Sequence, residues 1–269
     1  AIEELEPDLV GVTCMFSQTH QSMLDVCDYV KTLRETLPIA VGGVHVTSTY
    51  ADEQTRKTLL LDLQKIDLLF CYEADLSFLD FLRVVNGWEE LDRLCQIVFI
   101  GSEPKICFSH RRTPEPNDLN IVPAHDLMLS SELSQNGKIG GFYSFLKPDA
   151  RMTTLLSNRG CRAQCTFCSV HNFNGPGVRQ RSVSSVADEI ETLHNNYGVG
   201  HLMWLDDDLL RDHDRVIQMF NELSRRKLDL TWDATNGVIA ASCTEEVIAA
   251  AAESGCIAIN IGIESGNPQ

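Results

Sequence analysis

The sequence predicts an α/β protein of two strand–helix domains, over residues 1–101 and 151–269, joined by a linker over 102–150. Three observations predict this arrangement. Strand and helix patterns alternate in the first segment, prolines and glycines interrupt the middle segment, and the alternation resumes in the last one. Strands that alternate with helices imply parallel sheets with helices on their faces.

The first domain is expected to contain three buried strands, in the stretches DLVGVTCM, IAVGGVHV and IDLLFCY. Apolar residues at helical spacing predict a helix after the first strand, through Met23, Cys27, Val30 and Leu33. Pro38 ends this helix. A second helix is predicted through Leu79, Leu82 and Val85, with Gly87 as its cap.

The second domain is expected to contain four strands, in the stretches MTTLLSN, HLMWL, LDLTW and CIAINIGI. Ser185 and Asp188 form a capping-box pattern at the start of the helix after the first of these strands. Thr244 is suited to cap the helix before the fourth strand. Consecutive βα units are the construction of a β/α barrel, here with four strands.

Length and charge limit the possible functions. The 269 residues are 43% hydrophobic and 22% charged, and no apolar run reaches membrane-spanning length. The first residues do not resemble a signal peptide, so a cytoplasmic protein without membrane contact is expected. The formal net charge of −16 disfavours a large nucleic-acid-binding surface.

Three of the ten cysteines lie together in the stretch RGCRAQCTFCSV, as Cys161, Cys165 and Cys168. Seven others stand singly, mostly among apolar neighbours, and are expected to pack in the core: Cys14, Cys27, Cys71, Cys95, Cys107, Cys243 and Cys256. Three thiolates satisfy three irons of a 4Fe–4S cluster and leave the fourth iron open to a ligand that is not protein. The alternative is a zinc site with His171 as the fourth ligand.

The cysteines, the run DDD and the run ESG each follow the carboxyl end of a predicted strand, which is where β/α barrels place their chemistry. The cysteine spacing, with Phe167 before the last cysteine, resembles the signature of the radical S-adenosylmethionine (SAM) superfamily. The resemblance implies a 4Fe–4S cluster whose open iron chelates SAM. An electron from the cluster then cleaves the cofactor and releases a 5′-deoxyadenosyl radical.

The resemblance also implies roles for four other residues. Asp206 and Asp207 match positions that accept hydrogen bonds from the ammonium group of SAM. Glu264 and Ser265 match the position that contacts the two hydroxyls of the ribose. Without the resemblance, the same four residues also fit purely structural roles as helix caps or as solvent-exposed loop residues.

The first domain resembles the Rossmann-like (flavodoxin-like) cobalamin-binding domain of the cobalamin-dependent branch of this superfamily. The stretches PDLVGVTCM, VGGVHVTS, IDLLFCYEAD and LNIVPAHDL carry this resemblance. It implies that Thr13, Gly42 and Gly43 accommodate the nucleotide tail of cobalamin. It further implies a fragment, with the first strand of this domain missing and a partial (β/α)6 barrel truncated after its fourth strand.

The expected function is therefore that of a cobalamin-dependent radical SAM methyltransferase acting on an unactivated carbon or phosphorus centre. The partners expected are a small-molecule substrate and an electron donor such as flavodoxin or ferredoxin. Ring formation or rearrangement by the same layout, a transfer-RNA methylthiotransferase and a non-enzymatic zinc module are the alternatives.

Overall fold

The computed structural model describes residues 2–100, 105–107, 111–127, 151–263 and 266, with backbone only for 105–107. The chain divides into two compact units. The first unit comprises Ala1–Pro114 and Phe167–Gly175. The second unit comprises Glu115–Thr166 and Pro176–Gln269.

The first unit contains a five-stranded sheet in the order β1-β2-β3-β4-β5. Its strands are β1 Val10–Thr13, β2 Ile39–Gly42, β3 Leu68–Phe70, β4 Ile97–Phe99 and β5 Lys105–Cys107. Its helices are α1 Ile2–Leu5, α2 His20–Leu33, α3 Val44–Ala51, α4 Glu53–Asp62, α5 Asp75–Val85 and α6 Val170–Asn174. The first three strands are parallel, as the alternating pattern predicts. Strand β4 pairs antiparallel with both β3 and β5. The sequence patterns did not predict β4 or β5.

The core of the first unit forms where helix α2 covers the sheet. Met23, Cys27 and Val30 of α2 are buried against strand residues, among them Val41 and Leu69. The fourth residue of the predicted stripe, Leu33, ends the helix and stays 41% exposed. Burying one face of the helix supplies the stabilisation, since apolar area removed from water drives folding.

The second unit contains a parallel four-stranded sheet in the order β11-β10-β9-β6 and a short antiparallel pair, β7 with β8. Its strands are β6 Arg151–Leu155, β7 Asn158–Arg159, β8 Arg179–Gln180, β9 Val199–Trp204, β10 Thr231–Val238 and β11 Cys256–Ile261. Its helices are α7 Val183–Tyr197, α8 His213–Arg226 and α9 Glu245–Glu253. Taken in chain order, the strands of the four-stranded sheet lie side by side in it, which is the construction of a partial β/α barrel and confirms the predicted fold class.

Aromatic residues fill the core of the second unit. Phe220 of α8 stacks on Trp232 of β10 with ring centroids 4.8 Å apart, and Trp204 meets the same indole edge-on. All three side chains are at most 1% exposed. Large buried rings of this kind dominate the energy of a core, and here they join the strands to the helix.

Two predicted boundaries in the second unit are wrong. Helix α7 begins at Val183, and its cap is Ser182, whose hydroxyl accepts from the backbone N–H of Ser185. Ser185 therefore lies inside the first turn and does not form the predicted capping box. Strand β10 begins at Thr231, three residues later than the predicted LDLTW strand. The cap at Thr244 is confirmed, since its hydroxyl accepts from Val247.

Within the described residues, no helix is both long and apolar enough to cross a membrane.

Candidate functional site

The loop that carries Cys161 and Cys165 begins directly after strand β7. Strand β8 pairs antiparallel with β7, so Arg159 lies opposite Arg179. Gly160 has φ +92°, and a Cβ atom at this position would collide with the carbonyl oxygen of Gly177. Only glycine accepts both the positive φ and this close approach to the backbone of Gly177. We call this contact between Gly160 and Gly177, at the start of the cysteine loop, the glycine neck.

The cysteines of the motif differ in exposure from those of the core. Cys165 is exposed, and Cys161 and Cys168 are half-buried, with all three free of disulfides. The sulfur of Cys161 accepts from the backbone N–H of Ala163 at 3.3 Å. Three cysteine thiols in one short stretch of sequence are the donor set of an iron–sulfur cluster with an open iron.

Four scattered cysteines are buried in the core, as the sequence predicts: Cys14, Cys27, Cys71 and Cys95. Burial raises the pKa of Cys27 to about 11 and that of Cys71 to about 12, so both are neutral thiols near pH 7. Cys243 and Cys256 are half-buried, and the side chain of Cys107 lies outside the described residues.

Among residues 2–100, 111–127 and 151–263, no three side chains of His, Cys, Asp or Glu lie together as a ready metal site. The metal role of the cysteines therefore stays a prediction that rests on their spacing and on the chemistry of three thiols.

Asp206, which follows strand β9, is 1% exposed. Both of its carboxylate oxygens accept from the backbone N–H of Ser157, and one also accepts from the Ser157 hydroxyl at 2.6 Å. Burial raises the pKa of Asp206 to about 6, against the opposing effects of these hydrogen bonds and of Arg215. Asp206 thus fixes the segment between β6 and β7, and its role toward SAM stays a prediction.

The next two aspartates have different surroundings. Asp207 is half-buried, and its carboxylate lies 3.5 Å from the amide nitrogen of Asn236. The same amide donates to the carbonyls of Leu205 and Asp206 at 3.1 and 3.2 Å, so β10 supports this loop. Asp208 is 1% exposed and pairs with Arg162, the residue after Cys161.

Thr13, Gly42 and Gly43 lie together in the first unit, at the carboxyl ends of neighbouring strands. Thr13 is exposed and pairs with Gly42 in the sheet register. Gly43 has φ +105°, and a Cβ atom there would lie 2.5 Å from the carbonyl oxygen of Cys14. The close approach that requires glycine at Gly43 is therefore made by the protein's own backbone.

Two known families match the chain. The radical SAM superfamily matches residues 155–269, which include the three cysteines, and the B12 binding domain matches residues 1–59, which include Thr13 and the two glycines. The chain carries a B12 binding domain followed by a radical SAM domain.

The relatives of this two-domain chain include two methyltransferases. An uncharacterized methyltransferase of Pyrococcus horikoshii is 26% identical over all of this chain and 54% of its own length. The cytidylyl-2-hydroxyethylphosphonate methyltransferase of Streptomyces wedmorensis is 26% identical over 98% of this chain and 51% of its own length. The chain thus spans about half the length of the curated relatives it matches.

A solved structure has the same fold. The radical SAM methyltransferase TsrM from Kitasatospora setae, with tryptophan and a SAM analogue bound, aligns with a TM-score of 0.69 at 16% identity. The alignment covers 97% of this chain and 49% of that chain.

In the radical SAM domain, Glu264 and Ser265 lie outside the described residues, after strand β11 ends at Ile261. Their predicted contact with ribose stays a prediction.

Sequence reasoning assigned no role to Arg181 and Arg215, to the buried Glu189, or to the half-buried His125 that precedes the radical SAM domain. Arg181 is 7% exposed and forms an ion pair with Glu189 at 2.5 Å, and Glu189 also contacts His125 at 2.9 Å. Arg215 donates to the carbonyls of Ser157 and Arg181. No local pattern marks these residues, because their partners are distant in sequence.

Proposed function

We propose that this chain is part of a cobalamin-dependent radical SAM enzyme that transfers a methyl group to an unactivated carbon or phosphorus centre of a small molecule. The observation that carries the proposal is the triplet of cysteines that follows the β7 strand in sequence, inside the segment that matches the radical SAM superfamily. When bound, the cluster supplies the electron that cleaves SAM.

In this proposal Cys161, Cys165 and Cys168 hold a 4Fe–4S cluster. Asp207 accepts from the SAM ammonium group, since its carboxylate is less buried than that of Asp206. Asp206 instead holds Ser157 in place by accepting from its hydroxyl.

The ribose of SAM is assigned to Glu264 and Ser265, because a carboxylate that accepts from a vicinal diol is established chemistry in dinucleotide sites. The nucleotide tail of cobalamin is assigned to the surface of Thr13, Gly42 and Gly43. The exposure of Thr13 at this strand end supports the assignment.

Methyl transfer is proposed in keeping with the names of the two relatives described above, which align with nearly all of this chain. The substrate is proposed to be a small molecule, in keeping with the phosphonate nucleotide in the name of one relative. A flavodoxin or ferredoxin is proposed as the electron donor. The net charge of −16 argues against nucleic acid as a partner.

Anaerobic reconstitution with iron and sulfide tests the proposal. We expect about four irons and four sulfides per chain, since three thiolates with one open iron specify that cluster. Alanine in place of Cys161, Cys165 or Cys168 should abolish iron binding. Cys243→Ala is the control and should retain it. Stoichiometric zinc with little iron would favour the zinc-module alternative instead.

A second measurement separates methyl transfer from ring formation. With the full-length enzyme, cobalamin and SAM, methyl transfer yields one S-adenosylhomocysteine for each methylated product, in addition to 5′-deoxyadenosine. Deoxyadenosine without S-adenosylhomocysteine would favour ring formation or rearrangement.

A further inference from the structure

Arg162, between the first two cysteines of the motif, contacts the carboxylate of Asp208 in the turn that follows strand β9. Its Nε lies 3.1 Å from Oδ2 of Asp208, and its backbone N–H donates to the same oxygen at 3.3 Å. The side chain of Asp208 is 1% exposed, whereas that of Arg162 is 31% exposed. The pair joins residues 46 positions apart in the chain.

The guanidinium of Arg162 is held on its other side as well. It donates to the carbonyl of Arg211 at 3.4 Å and to the hydroxyl of Ser242. Asp208 in turn accepts, through its backbone carbonyl, from the Asn158 side chain of strand β7 at 3.0 Å. Asp208 therefore contacts Asn158, which precedes Gly160, and Arg162, which follows Cys161.

Within the described part of the chain, Arg162 is the only cation that forms an ion pair with Asp208. Its second oxygen, Oδ1, is buried and accepts no hydrogen bond from the described residues. A buried charge that loses its partner is strongly unfavourable, so the two side chains hold each other in place. The peptide unit of Arg162 is fixed with them, and it directly follows Cys161.

We propose that the Arg162–Asp208 ion pair is a positioning device that orients Cys161 as a cluster ligand and balances the charge beside it. The proposal rests on the proposed function, because it assumes that Cys161 binds iron. Neither residue needs to touch SAM or the substrate.

The ion pair has an electrostatic consequence that a purely structural contact lacks. Reduction adds an electron to the cluster, and a nearby positive charge favours that step while a negative charge opposes it. Removing the guanidinium leaves the Asp208 carboxylate uncompensated. Removing the carboxylate charge leaves the guanidinium uncompensated. The two single substitutions should therefore shift the reduction potential in opposite directions.

The experiment is a redox titration of the reconstituted cluster, followed by electron paramagnetic resonance, in wild type, Arg162→Gln, Asp208→Asn and the double variant. We expect a lower potential for Arg162→Gln, a higher one for Asp208→Asn, and a value near wild type for the double variant. Asp214→Asn is the matched control, because Asp214 is an exposed carboxylate in the first turn of α8 and should leave the potential unchanged.

The rate of iron loss to a chelator measures positioning separately. Both single variants should lose iron several-fold faster than wild type, and Arg162→Lys, which keeps the charge but not the planar geometry, should lose iron faster at an unchanged potential. If either single variant takes up no cluster, uptake by the double variant and by Arg162→Lys supports the ion pair.

Shifts of the same sign, or potentials and iron-loss rates equal to wild type in all variants, would overturn this inference while leaving the proposed function intact. A wild-type protein that takes up no iron–sulfur cluster at all would overturn the proposed function, and this inference with it.

Discussion

At the residue scale, the run of three aspartates after β9 serves mainly to hold other parts of the chain. Asp206 accepts from Ser157, Asp208 pairs with Arg162, and only Asp207 keeps a half-buried carboxylate. Repulsion between adjacent carboxylates is reduced because Asp206 and Asp208 accept hydrogen bonds from donors elsewhere in the chain. Of the two aspartates that sequence similarity suggests for the SAM ammonium group, Asp207 is therefore the more exposed.

The raised pKa of Asp206 predicts a pH dependence of stability. Its folded-state pKa of about 6 lies above the ordinary aspartate pKa of 3.8, so the folded state binds more protons between these values. The contribution of Asp206 to the free energy of unfolding is therefore present at low pH and is lost as pH rises through about 6.

Denaturant unfolding of the metal-free protein at pH 5 and pH 7 measures this effect. The stability of wild type relative to Asp206→Asn should increase by about 1.4 kcal/mol on going from pH 7 to pH 5. Asp214→Asn, at an exposed site, should show the same difference from wild type at both pH values. A pH-independent difference for Asp206→Asn would mean that the folded pKa is not raised.

At the element scale, the short β7–β8 pair determines where the cysteine loop begins. Each strand has only two residues, so its geometry depends on the backbone contacts at the neck and on the side-chain bonds of Asn158. A two-stranded ribbon is only marginally stable by itself. These contacts supply the stabilisation that a longer ladder of backbone hydrogen bonds would give.

Gly160→Ala tests the neck, with Gly87→Ala as the matched control. Both glycines have positive φ, but a Cβ atom at Gly87 meets nothing within 4 Å, whereas one at Gly160 meets the Gly177 backbone. Gly87→Ala should lower the free energy of unfolding by about 1–2 kcal/mol, the cost of a left-handed alanine, and leave iron uptake unchanged. Gly160→Ala should cost more and reduce iron uptake after reconstitution. Equal iron uptake in the two variants would show that the glycine neck does not control the conformation of the cysteine loop.

At the scale of the whole molecule, each unit has its own core. Leu202 belongs to the core of the second unit and Leu69 to that of the first, and within the described residues the two cores share no member. A chain with separate cores need not unfold in a single two-state transition.

Calorimetry of the metal-free chain should accordingly resolve two transitions. Leu69→Ala and Leu202→Ala each remove a fully buried side chain and should each cost about 2–5 kcal/mol. Leu69→Ala should lower the temperature of one transition, and Leu202→Ala that of the other. A single transition that both substitutions shift would mean that the units unfold together.

Local patterns by themselves determined the cysteine motif, the parallel βα units of both domains and the Thr244 cap. These features depend on residues close together in sequence, where spacing and backbone preference act directly. The same local reasoning misplaced the start of α7, because Ser182 and Ser185 are equally good caps by composition and only the chain direction after β8 selects between them.

Only the tertiary structure decided which aspartate stays accessible and what holds the cysteine loop. Ser157 and Asp206 are 49 residues apart, and Arg162 and Asp208 are 46 apart. No spacing rule connects such residues, because they meet only when the parallel strands align their carboxyl ends. The two domain families were therefore predictable from local sequence, whereas the partner of each charged group follows from the register of the sheet.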